Sequence, residues 1–344
     1  MKVWEIGPRG VGERGIGGLR LAERPDPIPG PGEVLVRVIA AGLNYRDLMV
    51  LRGLYGSNLP ESRIPLSDGV GEVLALGEGV SGFAPGDRVI APHFLTWLGD
   101  EPYSPAVFAQ DMGVTADGWL AERITLPAAA ALKVPASVPD STAACLAVVG
   151  ATVWHAMVVF GGAGPGSLVL AQGTGGVSVF ALLLAKALGA RFAITSSSEA
   201  KLERARALGA DITINYRTSP DWAAALLAAN HGRGADVVVD TLGFAALGET
   251  LAASAPNVRI GTLGALAGSP QDTASASQGA LIAKNATIKG IASGSRAMLE
   301  AALAVVADKG ITIPVDHSFA FVDAPAAFAC LDSATHFGKL IIHV

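Results

Sequence analysis

The chain has 344 residues and a formal net charge of −5, with 16% charged and 51% hydrophobic residues, 42 glycines and 20 prolines. That length holds two domains with cores of their own. The composition excludes a disordered chain, and the mild acidity gives no reason to expect nucleic acid. Two cysteines, Cys145 and Cys330, lie far apart without a C-x-x-C pair, which excludes a disulfide-stapled module and a four-cysteine zinc site and fits a reducing compartment. Glu5 falls where the apolar stretch of a signal peptide would begin, so a cytoplasmic location is expected.

In chain order, the first third carries short β patterns at 34–39, 70–76 and 87–90, punctuated by Pro-Gly pairs, and reads as a compact, mostly antiparallel β domain. Between Asp140 and Lys186 no residue carries a formal charge apart from a possible proton on His155. Gly161–Ser167 breaks this stretch and would expose unpaired backbone in lipid, so it reads as buried helix, turn and buried strand, with no membrane partner. From about residue 141, apolar runs alternate with Ala/Leu-rich segments, the pattern of a parallel sheet covered on both faces. Strands are predicted at 168–171, 192–195, 212–214, 237–239, 258–260 and 287–291. Helices fit at 177–188 before Gly189, at 200–208 before Gly209, and to 229 behind a capping Asp221. Six strands with crossovers make a doubly wound α/β unit. After 295 a helical stretch, a helix capped by Asp323 and a strand at 340–342 return to the β domain. The expected domains are 1–130, 131–294 and the return segment 295–344.

The sharpest local signal is Gln172-Gly173-Thr174-Gly175-Gly176-Val177-Ser178, a Gly-rich turn after an apolar strand and before an apolar helix. Gly173 permits a tight turn, Gly175 lets backbone approach a pyrophosphate, and the helix N-terminus offers oriented N–H groups. Ser178 replaces the third glycine of the fingerprint. At the end of the next strand, where an acid would hold the ribose 2′-hydroxyl of NAD, the chain reads Thr195-Ser196-Ser197-Ser198, with Lys201 following and Tyr216 ending the third strand. Hydroxyl donors, a cation and an absent acid suit a 2′-phosphate, so NADP(H) is the expected cofactor. Gly243, Leu263-Gly264 and Ser293-Gly294-Ser295 follow later strands at their carboxyl ends, where ligands sit in open α/β sheets, and are further expected cofactor contacts.

These motifs, with Gly42-Leu43-Asn44-Tyr45-Arg46-Asp47, Ile64-Pro65-Leu66-Ser67-Asp68-Gly69-Val70-Gly71, Gly86-Asp87-Arg88-Val89, Ala207-Leu208-Gly209-Ala210-Asp211 and Phe337-Gly338-Lys339, resemble the medium-chain dehydrogenase/reductase superfamily, in its zinc-independent, quinone-oxidoreductase-like branch. The resemblance covers essentially the whole chain. It implies a GroES-like catalytic domain built from both chain ends, a central Rossmann domain, an active site in the cleft between them, and a homodimer formed through the Rossmann sheet edge at 288–291. It also implies that Asn44 and Asp47 line the nicotinamide pocket, that Thr152 bonds the carboxamide, that Lys339 lies near the cofactor, and that Tyr55 faces substrate on its loop.

Zinc-dependent members carry metal ligands where this chain has Asn44, Ser67-Asp68 and Val149-Gly150, so no zinc is expected. Asp68, His93 and His155 are scattered candidates without ligand spacing. Without a metal, the charge that develops on a carbonyl oxygen during hydride transfer needs hydrogen-bond donors, which suits conjugated carbonyls. The sequence therefore reads as an NADPH-dependent reductase of quinones or α,β-unsaturated carbonyls, with Tyr55, Asn44 and Asp47 as candidate catalytic residues. The alternatives are an alcohol or aldehyde dehydrogenase of the same superfamily, or a nicotinamide-binding protein without turnover. For Asp47 a structural role, holding neighbouring backbone or Arg46, weighs equally, and Tyr45 is a second pocket candidate. The long loop 94–117, with Trp97, Tyr103 and Phe108, is a candidate lid.

Overall fold

A computed structural model describes residues 1–7, 15–55, 62–268 and 273–344. The chain divides into two compact units, the first made of Met1–Ala151 with Gly294–Val344 and the second of Thr152–Ser293. The first boundary thus falls later than the expected 130/131. Residues 131–151 are tied to the first unit because the Val148 N–H donates to Asp68 Oδ1 at 2.7 Å and the Ala144 carbonyl packs against Gly42, where a Cβ would sit 2.3 Å from it.

The second unit carries a six-stranded parallel sheet in the order Ile212–Asn215, Arg191–Ser196, Leu168–Gln172, Ala235–Asp240, Ser254–Thr262, Thr287–Gly290. All six strands expected from sequence are present. The central strand Leu168–Gln172 is buried at every position, as a strand covered on both faces must be. Thr287–Gly290, at the sheet edge, is largely exposed. The helices begin and end as their punctuation demands. Gly189 and Gly209 take φ of 75° and 98° just past Gly176–Ala187 and Glu199–Ala207, and the Asp221 carboxylate accepts the Ala224 N–H at 2.9 Å ahead of Trp222–Ala229. The charge-poor stretch is an α-helix, Leu146–Val153, running into a π-helical segment, Trp154–Phe160, before the strand at 168. Among the described residues no helix is long and apolar enough to cross a membrane.

The first unit is a β domain whose main sheet runs Val315–Ala320, Lys339–His343, Glu33–Gly42, Asp68–Leu76, Arg88–Ile90, Leu132–Lys133, with Arg123–Pro127 also paired to Glu33–Gly42. The returning C-terminal strand is antiparallel to Glu33–Gly42, matching Ile341 to Gly42 and His343 to Ala40. Trp119, fully buried, lies so close over Gly69 that a Cβ there would be 2.3 Å from its indole. The helix behind Asp323 forms as Ala324–Asp332, but Asp323 makes no side-chain capping bond; proline in the first turn starts that helix instead. Loop 94–117 has a small core of its own, Phe94, Trp97 and Val107, and a backbone bridge between Phe94 and Asp111.

Candidate functional sites in the two units

In the second unit, the glycine turn follows the strand Leu168–Gln172. Gly173 has φ of 77°, and its N–H donates to the Thr195 carbonyl at 2.9 Å. Gly175 is the N-cap of Gly176–Ala187, with φ of −78°. That conformation is open to any residue, and a Cβ there would meet nothing within 4 Å. Neither backbone strain nor packing requires a glycine at this position, and the space above it is open. Thr174 is buried and Val177 half-buried beside it. Ser178 donates to the Gln172 carbonyl at 2.8 Å, so the missing third glycine is replaced by a helix-to-strand hydrogen bond.

The residues expected around a 2′-phosphate gather at the ends of two neighbouring strands. Ser196 is buried and its hydroxyl oxygen accepts the Ser198 N–H at 3.3 Å; the Tyr216 N–H donates to the Ser196 carbonyl at 3.1 Å, and the Tyr216 ring is exposed. Ser197 and Lys201 are half-buried, Lys201 in the first turn of a helix capped by Ser198. The first carboxylate after the strand in sequence, Glu199, is bound by Arg206 at 2.8 Å.

Other expected contacts have different posts. Gly243 and Gly264 are demanded by the fold: a Cβ on Gly243 would lie 2.7 Å from the Gly264 carbonyl oxygen, and one on Gly264 2.8 Å from that of Thr241. Leu263 donates its N–H to the Asp240 carbonyl in the same pair of loops. Ser295, fully buried, caps the helix Arg296–Lys309 by accepting the Met298 N–H, so its hydroxyl is committed to that helix. Gly294 packs against the Ala151 carbonyl, leaving no room for a Cβ. Thr152 and Ser293 come together, their hydroxyls 3.1 Å apart. Sequence reasoning missed Gln172, whose buried amide reaches Thr250 and the Thr241 N–H, and Asp240, whose carboxylate holds the Leu242 and Gly243 N–H groups; burial raises the Asp240 carboxyl above the ordinary range.

In the first unit, Lys339 is the largest departure from expectation. It is 2% exposed, and its ammonium donates to the Leu43 carbonyl at 2.8 Å, Asn44 Oδ1 at 2.6 Å and Asp68 Oδ2 at 2.9 Å. Three acceptors match the three hydrogens of an ammonium, which leaves none for a cofactor. Asn44 in turn donates from Nδ2 to Asp68 Oδ2 at 2.9 Å, so its side chain is engaged at both ends within the protein. Asp47 accepts the Asn44 N–H at 2.8 Å at the start of the helix Tyr45–Leu51 and the Ser67 hydroxyl at 3.0 Å. The alternative weighed for Asp47, a brace for neighbouring backbone, is the one this geometry provides.

Burial lifts the Asp47 carboxyl from 3.8 to about 6, with Arg46 opposing the rise and Asp68 adding to it. An acid whose folded pKa is raised contributes stability that is full below 3.8 and lost as pH rises through about 6. We therefore expect the stability difference between the wild type and Asp47→Asn to be larger at pH 4.5 than at pH 7.5. Urea unfolding at the two pH values checks this, and a pH-independent difference would refute it.

Beside this network, Arg46 clasps both carboxylate oxygens of buried Asp111 at 2.7 and 2.8 Å, His93 Nδ1 stands 2.9 Å from the same carboxylate, and the guanidinium lies 4.8 Å from the centre of the half-buried Tyr55 ring. Desolvation raises the Tyr55 phenol pKa and lowers that of His93. Tyr45 is half exposed and has no part in this cluster. No local signal marked Asp111 in the sequence. Asp68, His93 and His155 fall into three separate hydrogen-bond networks, and no group of three or more His, Cys, Asp or Glu among the described residues is arranged to hold a metal.

Two family models match the chain. Residues 30–136 match the model of the alcohol dehydrogenase GroES-like domain and residues 176–308 that of the zinc-binding dehydrogenases. A zinc-type alcohol dehydrogenase-like protein of Schizosaccharomyces pombe is 37% identical over 321 residues, 91% of each chain. An acryloyl-coenzyme A reductase of Metallosphaera sedula is 30% identical, over 94% of this chain and 96% of the other. Among solved structures, an NAD-dependent alcohol dehydrogenase has a TM-score of 0.89 at 33% identity, covering 100% of both chains. A mycobacterial protein complexed with NADPH has 0.81 at 25%, covering 100% of both, and a quinone oxidoreductase of Pseudomonas syringae has 0.81 at 27%, covering 100% of this chain and 99% of the other. The chain belongs to the zinc-type alcohol dehydrogenase-like family of the medium-chain dehydrogenase/reductases, and is an oxidoreductase of that superfamily.

Proposed function

We propose that the protein is an NADPH-dependent, zinc-independent oxidoreductase acting on a quinone or an α,β-unsaturated carbonyl. The observation that carries this reading is the Lys339 ammonium seated among Asn44 and Asp68. A fixed positive charge there satisfies the groups that stand at the positions of metal ligands, and a divalent cation would meet it with strong repulsion at that range. An amide and a lysine are also poor donors for zinc, which favours thiolate, imidazole and carboxylate. These residues do not fit a zinc ion.

The nicotinamide cofactor, when bound, supplies hydride. The open space above Gly175 and the helix N-terminus behind it suit its diphosphate. Ser196, Ser197, Lys201 and Tyr216 offer hydroxyls and a cation for a 2′-phosphate, and Glu199, the first carboxylate after the strand in sequence, is bound by Arg206. The relatives named for NADPH, quinone and acryloyl-CoA chemistry support the same reading. Tyr55, kept protonated by burial and backed by Arg46, is the candidate donor to the substrate oxygen. The likeness to an NAD-dependent alcohol dehydrogenase favours the alternative of alcohol oxidation.

Parallel fluorescence titrations of metal-free protein with NADPH and NADH test the cofactor. Tight, selective NADPH binding is expected, and preference for NADH would overturn the assignment of Ser196, Lys201 and Tyr216. Tyr55→Phe is expected to lower kcat on an enone about 10²-fold, the scale of one general acid, with NADPH affinity unchanged. Unchanged kcat would reduce Tyr55 to a wall of the pocket.

A further inference from the structure

We infer that His155 is a positioning residue for the nicotinamide end of the cofactor site, acting by holding Ser293 in a backbone conformation that serine does not adopt unaided. The inference rests on the nicotinamide reading above and adds a residue and a device to it.

Ser293 has φ of 135°, in the region that favours glycine, and sits three residues past the carboxyl end of the strand Thr287–Gly290. Ligands of open parallel sheets bind at that end. A non-glycine residue stays in such a conformation only where its surroundings over-determine it. Two bonds do so here. The Ser293 carbonyl accepts from His155 Nδ1 at 2.6 Å, and the Ser293 hydroxyl pairs with that of Thr152 at 3.1 Å.

The imidazole is itself fixed. Its other nitrogen, Nε2, lies 3.0 Å from the Lys289 ammonium on the same edge strand. A carbonyl only accepts and an ammonium only donates, so the one consistent tautomer is neutral, with hydrogen on Nδ1 and the lone pair of Nε2 toward Lys289. Desolvation lowers the His155 pKa, as does Lys289, while the bond to the Ser293 carbonyl opposes the drop. His155 lies in Trp154–Phe160, the one π-helical segment among the described residues; such widened turns recur at functional sites. Phe160, at its end, is fastened by Arg259, which donates to its carbonyl at 3.1 Å. Because a trans peptide is planar, anchoring the Ser293 carbonyl also fixes the direction of the N–H on the peptide that follows it. The expected result is a pre-set backbone donor and a pre-set hydroxyl at the place where a carboxamide would be read.

The test compares wild type, His155→Phe and His155→Asn in binding NADPH and in binding 2′-phospho-ADP-ribose, which keeps the adenine and diphosphate and lacks the nicotinamide, with thermal melts run alongside. His155→Phe keeps a ring without the N–H, and is expected to weaken NADPH about tenfold, the scale of one buried hydrogen bond. The fragment should bind within twofold of wild type. His155→Asn, whose amide can donate to the same carbonyl, should recover most of the loss. Equal weakening of both ligands, unchanged NADPH binding, or no difference between Phe and Asn would each overturn the inference and leave His155 a packing residue. Wild type that binds neither ligand would instead sink the cofactor reading. Should His155→Phe not fold, ring-nitrogen NMR on the unaltered protein decides: hydrogen on Nδ1 at pH 7 is expected, and hydrogen on Nε2 is incompatible with the device.

Discussion

Lys339→Met lowers the free energy of unfolding by about 3–5 kcal/mol at pH 7, the scale measured when one partner of a buried ion pair is removed. The reason is what remains. Asp68 is fully buried, and without the ammonium its Oδ2 keeps only the Asn44 amide while Oδ1 keeps the Val148 N–H. The Leu43 carbonyl and Asn44 Oδ1 lose their donor in the same step. Methionine has similar length, so the effect reports charge and hydrogen bonding rather than a cavity. Adding Asp68→Asn removes the stranded charge, and the double variant should be more stable than Lys339→Met alone. Urea unfolding of the three proteins makes the comparison. A loss under about 1 kcal/mol for Lys339→Met would mean that water reaches the network, and would remove the basis for treating this ammonium as a fixed charge.

Gly175→Asp is expected to move stability and binding in opposite directions. Aspartate is among the best N-cap residues and complements the positive end of the helix dipole, so the helix Gly176–Ala187 should be as stable as before or up to about 1 kcal/mol more so. The backbone there, at φ −78° and ψ −178°, accepts aspartate without strain, and nothing within 4 Å meets its Cβ. In the cofactor complex the same carboxylate would face a diphosphate. Like charges in close contact, with loss of the space a glycine left open, should weaken NADPH by about 10²-fold or more. Thermal melts and fluorescence titration read the two effects. Wild-type affinity in a protein that melts no lower would place the diphosphate elsewhere and withdraw the role given to this turn.

Much of the second unit was readable in advance because its signals are local. The six strands are apolar runs, their helices stop at Gly189 and Gly209, and the glycine turn lies within one strand–turn–helix passage. The site in the first unit was less legible. Asn44 and Asp68 were named from the sequence without the partner they share, and Arg46 without its own: Lys339 is 271 residues from Asp68, and Asp111 is 65 from Arg46. A lysine near the end of a chain looks like a surface residue until the strand that bears it is placed next to Glu33–Gly42. Loop 94–117, read as a candidate lid, gave no sign of this contact either, since the guanidinium that clasps its Asp111 belongs to a helix some sixty residues earlier.

Glycine shows the division most plainly. By itself the sequence determined that Gly173, Gly175, Gly243 and Gly264 stand at turns beside parallel strands, because hydrophobic period and punctuation are properties of neighbouring residues. Only the tertiary structure decided that the space over Gly175 is open while Gly243 and Gly264 are pressed against each other's loops. Likewise the sequence determined that Asn44 and Asp68 stand in two separate motifs, but that one ammonium binds both was decided by the fold, which brings Lys339 into a buried pocket where an unpaired carboxylate would be intolerable. Residue identity fixes what a group can donate or accept. Burial and the partners assembled from distant segments fix whether that capacity is spent within the protein or remains for a ligand.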